Sequence, residues 1–373
     1  MTGRLRKILA GGALCAVLVA SGVLGSAAAA SGPAHAPAAV ADCDIPAPFS
    51  GFPLATSTAP SDTSTSIVLH PKATDPKIQC GVTPLTLRQD ITYATVAGAG
   101  GQPRQLKLDL QTPTAGGPRP LVIYIPGGGF VYADKTGAIG RRTYIAEQGY
   151  AVASIEYRTI VDGATYVDGV ADVKAAIRFL RANAAAYGID AAKIALYGES
   201  AGSYLASIVG TTAGLPQFEQ GANLDQSDRV QAVVDWFGAS DLSKLASDFD
   251  PATRSSYENS TDNPLVKYVE GPNGSQRLLD VPAAVAAANP ITYAGPGDAP
   301  FEIFHGTNDR AISPSQTLLL HNSLLAKGIP STRFVVQGAG HGNLVPDGDT
   351  SIPMWNTYQV MSPVMLFLQL QLH

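Results

Sequence analysis

Ser200 stands between Gly198 and Gly202 in the segment KIALYGESAGSYLASIVG, which runs from Lys193 to Gly210. A sharp strand-to-helix turn strains the residue at its apex and brings the flanking chain so close that side chains two positions away would collide. Glycine at both positions removes the clash, so G-E-S-A-G after an apolar run and before small residues reads as a nucleophile turn. A hydroxyl alone is a poor nucleophile. It needs a base within hydrogen-bond reach, and the base needs a carboxylate to orient it.

Elimination among the six histidines narrows the choice of base. His35 lies in or beside a leader, His70 in the segment before the regular elements begin, His321 within a helix and His373 at the last position. His305 ends the strand FEIFHG and reads as a structural histidine supporting the loop to Asp309. His341 follows the last strand in the Gly-rich loop QGAGHGN, free to reach over the sheet edge, and is the favoured base. Asp309 in HGTNDR is the favoured acid, because the helix after it already has Ser313 before Pro314 as its cap. Asp241, one strand earlier, is the runner-up. The order Ser200, Asp309, His341 is one of the known triad orders.

Attack on a carbonyl creates an oxyanion that preorganised N–H donors must meet. Gly127, Gly128 and Gly129 follow a buried apolar run, where missing side chains let amides approach a ligand, and the amide of Ala201 lies at a helix N-terminus. A phosphate cradle is disfavoured: no Lys-Ser/Thr follows the glycines, and no acidic residue is placed for a ribose. Phe130 and Trp236, just beyond strand ends, are candidate substrate-pocket walls, with core packing as the competing reading. Glu199 reads as a buried, hydrogen-bonded structural group.

These residues need a scaffold. LRQDITYAT and RQLKLDLQT read as two antiparallel strands, since Leu106, Leu108 and Leu110 recur with period two and GAGG supplies the turn. PLVIYI (120–125) is a strand covered on both faces. A helix over 139–148, the strand AVASIEY, an amphipathic helix in DVKAAIRFLRANAAAYG and the strand KIALYG lead to Ser200. After the helix that follows come the strands VQAVVDWFG, FEIFHG and TRFVVQG. Such alternation predicts a mainly parallel sheet of eight strands with helices on both faces, and ligands at the carboxyl ends of the strands. Residues 241–289, richer in Ser, Asp, Asn and Pro, read as a small cap insertion. MWNTYQVMSPVMLFLQLQL reads as a closing helix interrupted by Pro363.

Apolar residues make up 45% of the 373 residues and charged residues 15%, as in a compact globular protein. The net charge of −5 gives no electrostatic footing for a nucleic-acid partner. The chain opens with Arg4, Arg6 and Lys7, an apolar stretch from Ile8 to Leu24 and an Ala-rich region, the layout of a secretory signal peptide over residues 1–30, with cleavage after Ala30 or as late as Ala41. No stable membrane anchor is expected. Export leaves Cys43 and Cys80 to pair, which would stabilise the fold by roughly 3–4 kcal/mol and tether the Pro/Ser/Thr-rich lead-in, residues 31–84.

From about residue 85 to its end the chain resembles the α/β-hydrolase superfamily, and within it the hormone-sensitive-lipase-like and acetylxylan/feruloyl-esterase-like carboxylesterases. VIYIPGGGF, SIEYR, YGESAG, NPITYA, HGTNDRAISPSQ and GAGHG are similar to the family's successive motifs in their order. The resemblance implies Ser200 as nucleophile, Asp309 as acid, His341 as base, and the amides of Gly128, Gly129 and Ala201 as oxyanion hole. Pro126 stands where these families usually carry His, so what that His does to hold the loop must come from elsewhere. The expectation is a secreted serine carboxylesterase working through an acyl-enzyme, with no metal or cofactor, on a small-molecule or polymer ester. Acetyl or feruloyl groups on polysaccharide, or a synthetic polyester, are the polymer candidates. A non-catalytic binding protein on the same fold is the rival reading. A peptidase of the prolyl-oligopeptidase type is weaker, because too few residues precede residue 85 to build a propeller. No oligomeric state follows from the residues.

Overall fold

The computed structural model describes residues 40–373, so the expected signal peptide lies outside the described residues. The strands, in chain order, are β1 (Ala41–Asp42), β2 (Ile67–Leu69), β3 (Gln79–Cys80), β4 (Leu85–Ala97), β5 (Pro103–Pro113), β6 (Arg119–Ile125), β7 (Ala151–Ile155), β8 (Ile189–Glu199), β9 (Ala232–Trp236), β10 (Phe301–Gly306) and β11 (Ser331–Val336). The α-helices are α1 (Ile139–Glu147), α2 (Tyr166–Ala182), α3 (Ala184–Tyr187), α4 (Ala201–Gly210), α5 (Pro251–Asn259), α6 (Pro264–Glu270), α7 (Pro282–Ala288), α8 (Pro290–Tyr293), α9 (Ser315–Ala326) and α10 (Tyr358–Leu372). β1 pairs with β3, beside a Cys43–Cys80 disulfide.

The remaining strands form one nine-stranded sheet in the order β2-β11-β10-β9-β8-β6-β7-β5-β4. Only the β4–β5 and β5–β7 pairs are antiparallel. The count exceeds the expected eight by one strand, β2, which pairs in parallel with β11 from within the lead-in. Three residues are too few to show a period-two pattern, so nothing local marked β2 as a strand.

Successive side chains in the central strands go to opposite faces. Leu121, Ile123 and Ile125 of β6, with Ile194 and Leu196 of β8, join the core that takes in α2, α4 and α9. Val122, Tyr124, Ala195, Tyr197, Val234 and Trp236 join the opposite core with α1 and α10. Covered on both sides, these strands need an unbroken apolar run, as PLVIYI has. α10 corrects one expectation. It runs through Pro363 without a break, and the boundary falls at Thr357, ahead of its first turn. Pro363 removes a single bond, to the carbonyl of exposed Gln359, while burial of Val360, Met361, Val364, Leu368 and Leu372 holds the helix on the sheet.

Glu302 of β10 is buried and its Oε1 has no protein partner. Burial pushes this carboxyl up to about 8 from an ordinary 4.5. Neutral in the folded protein but ionised in the unfolded chain, it leaves the unfolded state with fewer bound protons across that interval. Stability therefore falls as pH rises from 4.5 towards 8. Glu302→Gln is expected to be more stable than the parent at pH 8, by on the order of 4 kcal/mol, with the two converging near pH 4.5. Urea midpoints measured at both pH values check this.

Candidate active site

Three strand ends on one edge of the sheet supply the candidate catalytic side chains, where an open α/β sheet presents ligands to its loops. β8 ends at Glu199, and Ser200 follows with φ 55° and ψ −120° before α4 begins. A Cβ on Gly198 would collide with the backbone of Gly202 and Ser203, and one on Gly202 with the carbonyls of Ile125 and Pro126. Both glycines are therefore demanded by the turn. The Ser200 amide donates to the Trp236 carbonyl at 3.0 Å, fastening the turn to the end of β9.

Asp309 follows β10, and its Oδ1 accepts from the amides of Ala311 at 2.8 Å and Ile312 at 2.9 Å. His341 follows β11 on a loop in which Gly338 and Gly342 have φ of 82° and 57°. The structure brings the three together. Asp309 Oδ2 lies 2.6 Å from His341 Nδ1, and His341 Nε2 lies 2.7 Å from Ser200 Oγ. A carboxylate can only accept, so Nδ1 carries the proton and Nε2 is left to accept the Ser200 hydroxyl. Burial opposes ionisation of Asp309, but its interactions with His341 and His305 outweigh it and hold the carboxyl well below the usual carboxylate range. His305, fully buried, places Nε2 3.1 Å from Asp309 Oδ2 and the same distance from the Ile312 carbonyl. It supports the acid loop and does not approach Ser200 as base. Asp241, the runner-up acid, accepts from Ser243 and pairs with Lys244.

The glycine loop follows β6. Gly128 and Gly129 have φ of 148° and 59°, conformations that disfavour other residues. Among the described residues the amides of Gly128, Gly129 and Ala201 have no protein acceptor. The Tyr157 hydroxyl donates to the Pro126 carbonyl at 2.8 Å, which fastens the loop where the family pattern has His.

These groups open on a cavity of about 550 Å³. Phe130 lines it and stacks on Tyr268 with ring centroids 4.3 Å apart. Trp236 does not reach it, which corrects the expectation for that residue. As the last residue of β9 it alternates onto the α10 side, fully buried, with its ring 4.9 Å from that of Trp355. The wall residue is its neighbour Phe237, one position past the strand, whose φ of 48° turns the chain so that its ring packs 4.6 Å from that of His341. Glu199 accepts from Arg141 Nη2 at 2.6 Å, and Arg141 Nη1 donates to Asn356 at 2.8 Å. This ion pair, a buried arginine with a partly exposed glutamate, lines the cavity beside Ser200. The segment 241–289 adds Tyr257 and Leu265, and the lead-in adds Pro46, Phe49, Phe52 and Pro53. Among the described residues no cluster of three or more His, Cys, Asp or Glu is placed to hold a metal ion.

Sequence reasoning passed over Arg141, Tyr157, Phe237 and the lead-in aromatics. Only the last carried a signal: PFSGF puts two phenylalanines three residues apart into the Pro/Ser/Thr-rich lead-in.

Residues 108–324 match a model of the BD-FAE family, a span of more than half the chain that contains Ser200 and Asp309. A probable carboxylic ester hydrolase, LipM, of Mycobacterium tuberculosis is 32% identical over 54% of this chain and 43% of its own length. Esterase LipC of the same organism is 30% identical over 63% of this chain and 56% of its own. The chain thus spans about half the length of these curated relatives. Among solved structures, a truncated carbohydrate esterase from gut microbiota is 26% identical, with a TM-score of 0.64 over 77% of this chain and 96% of its own.

Proposed function

The chain belongs to the BD-FAE family, and from that premise we propose that it is a secreted serine carboxylic ester hydrolase. The observation that carries this reading is the hydrogen-bonded line from Asp309 through His341 to Ser200 at the wall of the cavity. His341 Nε2 takes the hydroxyl proton as Oγ attacks the ester carbonyl. The amides of Gly128, Gly129 and Ala201 receive the oxyanion. His341 then gives its proton to the departing alcohol. In the second half it takes a proton from water, whose oxygen displaces Oγ from the acyl group, and returns that proton to Ser200 Oγ as the carboxylic acid leaves. Asp309 holds the imidazole in the required tautomer and offsets its positive charge.

The likeness to a carbohydrate esterase supports sugar esters as one substrate class. In this reading residues 1–30 are a signal peptide, 31–84 a lead-in tethered by Cys43–Cys80, and 85–373 the catalytic domain. The disulfide supports export, and no helix among the described residues is long and apolar enough to cross a membrane.

The test is hydrolysis by the purified protein of p-nitrophenyl acetate and butyrate beside the matching anilides. Steady turnover of the esters is expected, with the anilides at least about 100-fold slower, because amide cleavage must also protonate a poor amine leaving group. Failure to turn over any ester of the set contradicts the proposal.

A further inference from the structure

The lead-in lines the cavity through Pro46, Phe49, Phe52 and Pro53 and is fastened to the loops that carry His341 and Asp309. Cys43 fixes its start through the disulfide to Cys80. The Phe49 amide donates to the Asn343 carbonyl at 2.8 Å, and Asn343 Nδ2 donates to the Ala47 carbonyl at 2.9 Å, so this stretch rides on the His341 loop. Farther on, the Ala55 amide donates to the Arg310 carbonyl at 2.9 Å and the Thr58 hydroxyl to the Asp309 carbonyl. Thr56 and Ala59 then bond to Asp250 and Asp248, at the base of α5.

Between these anchors the strap puts two aromatic rings into the cavity wall. Phe49 and Phe52 lie with centroids 6.1 Å apart, and Tyr132 from the turn after the glycine loop completes a trio at 5.8 and 6.2 Å. Phe52 and Tyr132 are stacked with 17° between their planes. The Phe52 ring rests on Gly129, where a Cβ would meet it. None of the three is fully buried, and Tyr132 is 40% exposed. Ring faces left half-exposed at a cavity wall have apolar area still to bury. The volume of about 550 Å³ is also of the size that takes a whole organic ligand, far more than an acetyl group fills.

Resting on the ester-hydrolase reading, we infer that the strap is the specificity element of the site. Phe49, Phe52 and Tyr132 hold an apolar ring or multi-carbon chain of the ester, so the preferred substrates are bulky esters and not simple acetates of small alcohols. Phe49 and Phe52 belong to the lead-in, ahead of the span that matches the family model.

The test uses Phe49→Ala/Phe52→Ala and the volume-keeping Phe49→Leu/Phe52→Leu in the full mature chain. Two ester series are compared: p-nitrophenyl acetate, hexanoate and benzoate, and the acetates of ethanol, benzyl alcohol and 2-naphthol. In at least one series the alanine pair is expected to lower kcat/KM for the bulky member about 10–100-fold more than for the small member, with the leucine pair intermediate. Ratios unchanged within about twofold in both series, or an equal fall for every ester, would overturn the inference; the equal fall would make Phe52 a prop for the glycine loop only. A second arm needs no catalysis. In a Ser200→Ala background, fluorescence titration with 2-naphthyl butyrate should show at least about tenfold weaker binding when both phenylalanines are alanine. Should the parent hydrolyse no ester, the hydrolase reading fails while this arm still decides the strap: unchanged binding overturns it. The leucine pair keeps the test valid if the alanine pair does not fold.

Discussion

Ser200→Ala is expected to fold like the parent and to lose ester hydrolysis by roughly 10⁴–10⁶-fold in kcat/KM, measured with p-nitrophenyl butyrate. The hydroxyl stands 2.7 Å from His341 Nε2, at a turn whose backbone is strained with or without the oxygen. Its removal deletes the atom that would form the covalent bond and leaves the cavity, the amides and the imidazole in place. The residue of activity would come from water activated by His341 and from the oxyanion donors. A variant that kept a tenth of the parent rate would make Ser200 a turn residue and move the chemistry elsewhere.

Asp309→Asn should be nearly as damaging, by about 10³–10⁴-fold in kcat/KM, because four donors converge on this carboxylate. The amides of Ala311 and Ile312 face Oδ1, and His341 Nδ1 and His305 Nε2 face Oδ2. An asparagine must turn its NH₂ towards one of these pairs. Turned to the histidines, it forces His341 to accept at Nδ1 and carry its proton on Nε2, where it can no longer take the Ser200 proton. Turned to the backbone amides, it sets donors against donors in a buried site, at a cost of about 1–3 kcal/mol. Activity should thus fall far more than stability. Steady-state kinetics with a urea titration of the same protein checks this, and a variant less stable but kinetically intact would restrict Asp309 to a structural part.

The reach of sequence reading here follows physical lines. Ser200 could be singled out because a strand-to-helix turn of this tightness excludes side chains at positions 198 and 202, a local demand written in residue types. His341 and Asp309 could be placed because polar residues on loops at the ends of apolar strands have few alternatives. What escaped depends on contacts between distant segments. Trp236 and Phe237 are adjacent aromatics, and only the last residue of β9 decides which of them enters the core and which turns to the cavity. β2 is a strand because β11 offers it an edge. Tyr157 fastens the glycine loop from 31 residues away, so the proline at 126 could be seen as a departure while its compensation could not. The lead-in read as a tethered tail because its composition is that of a loop; its bonds to the loops of His341 and Asp309 make it a wall of the cavity. Pro363 shows the opposite failure, a strong local signal overruled by the burial of α10.

Labelling with a fluorophosphonate tests the central claim most directly, since it reports on nucleophilicity without assuming a substrate. The intact protein should gain the mass of one phosphonyl group, peptide mapping should place it on Ser200, and Ser200→Ala should gain none. A folded parent that takes up no label, or carries it on another residue, would contradict the account.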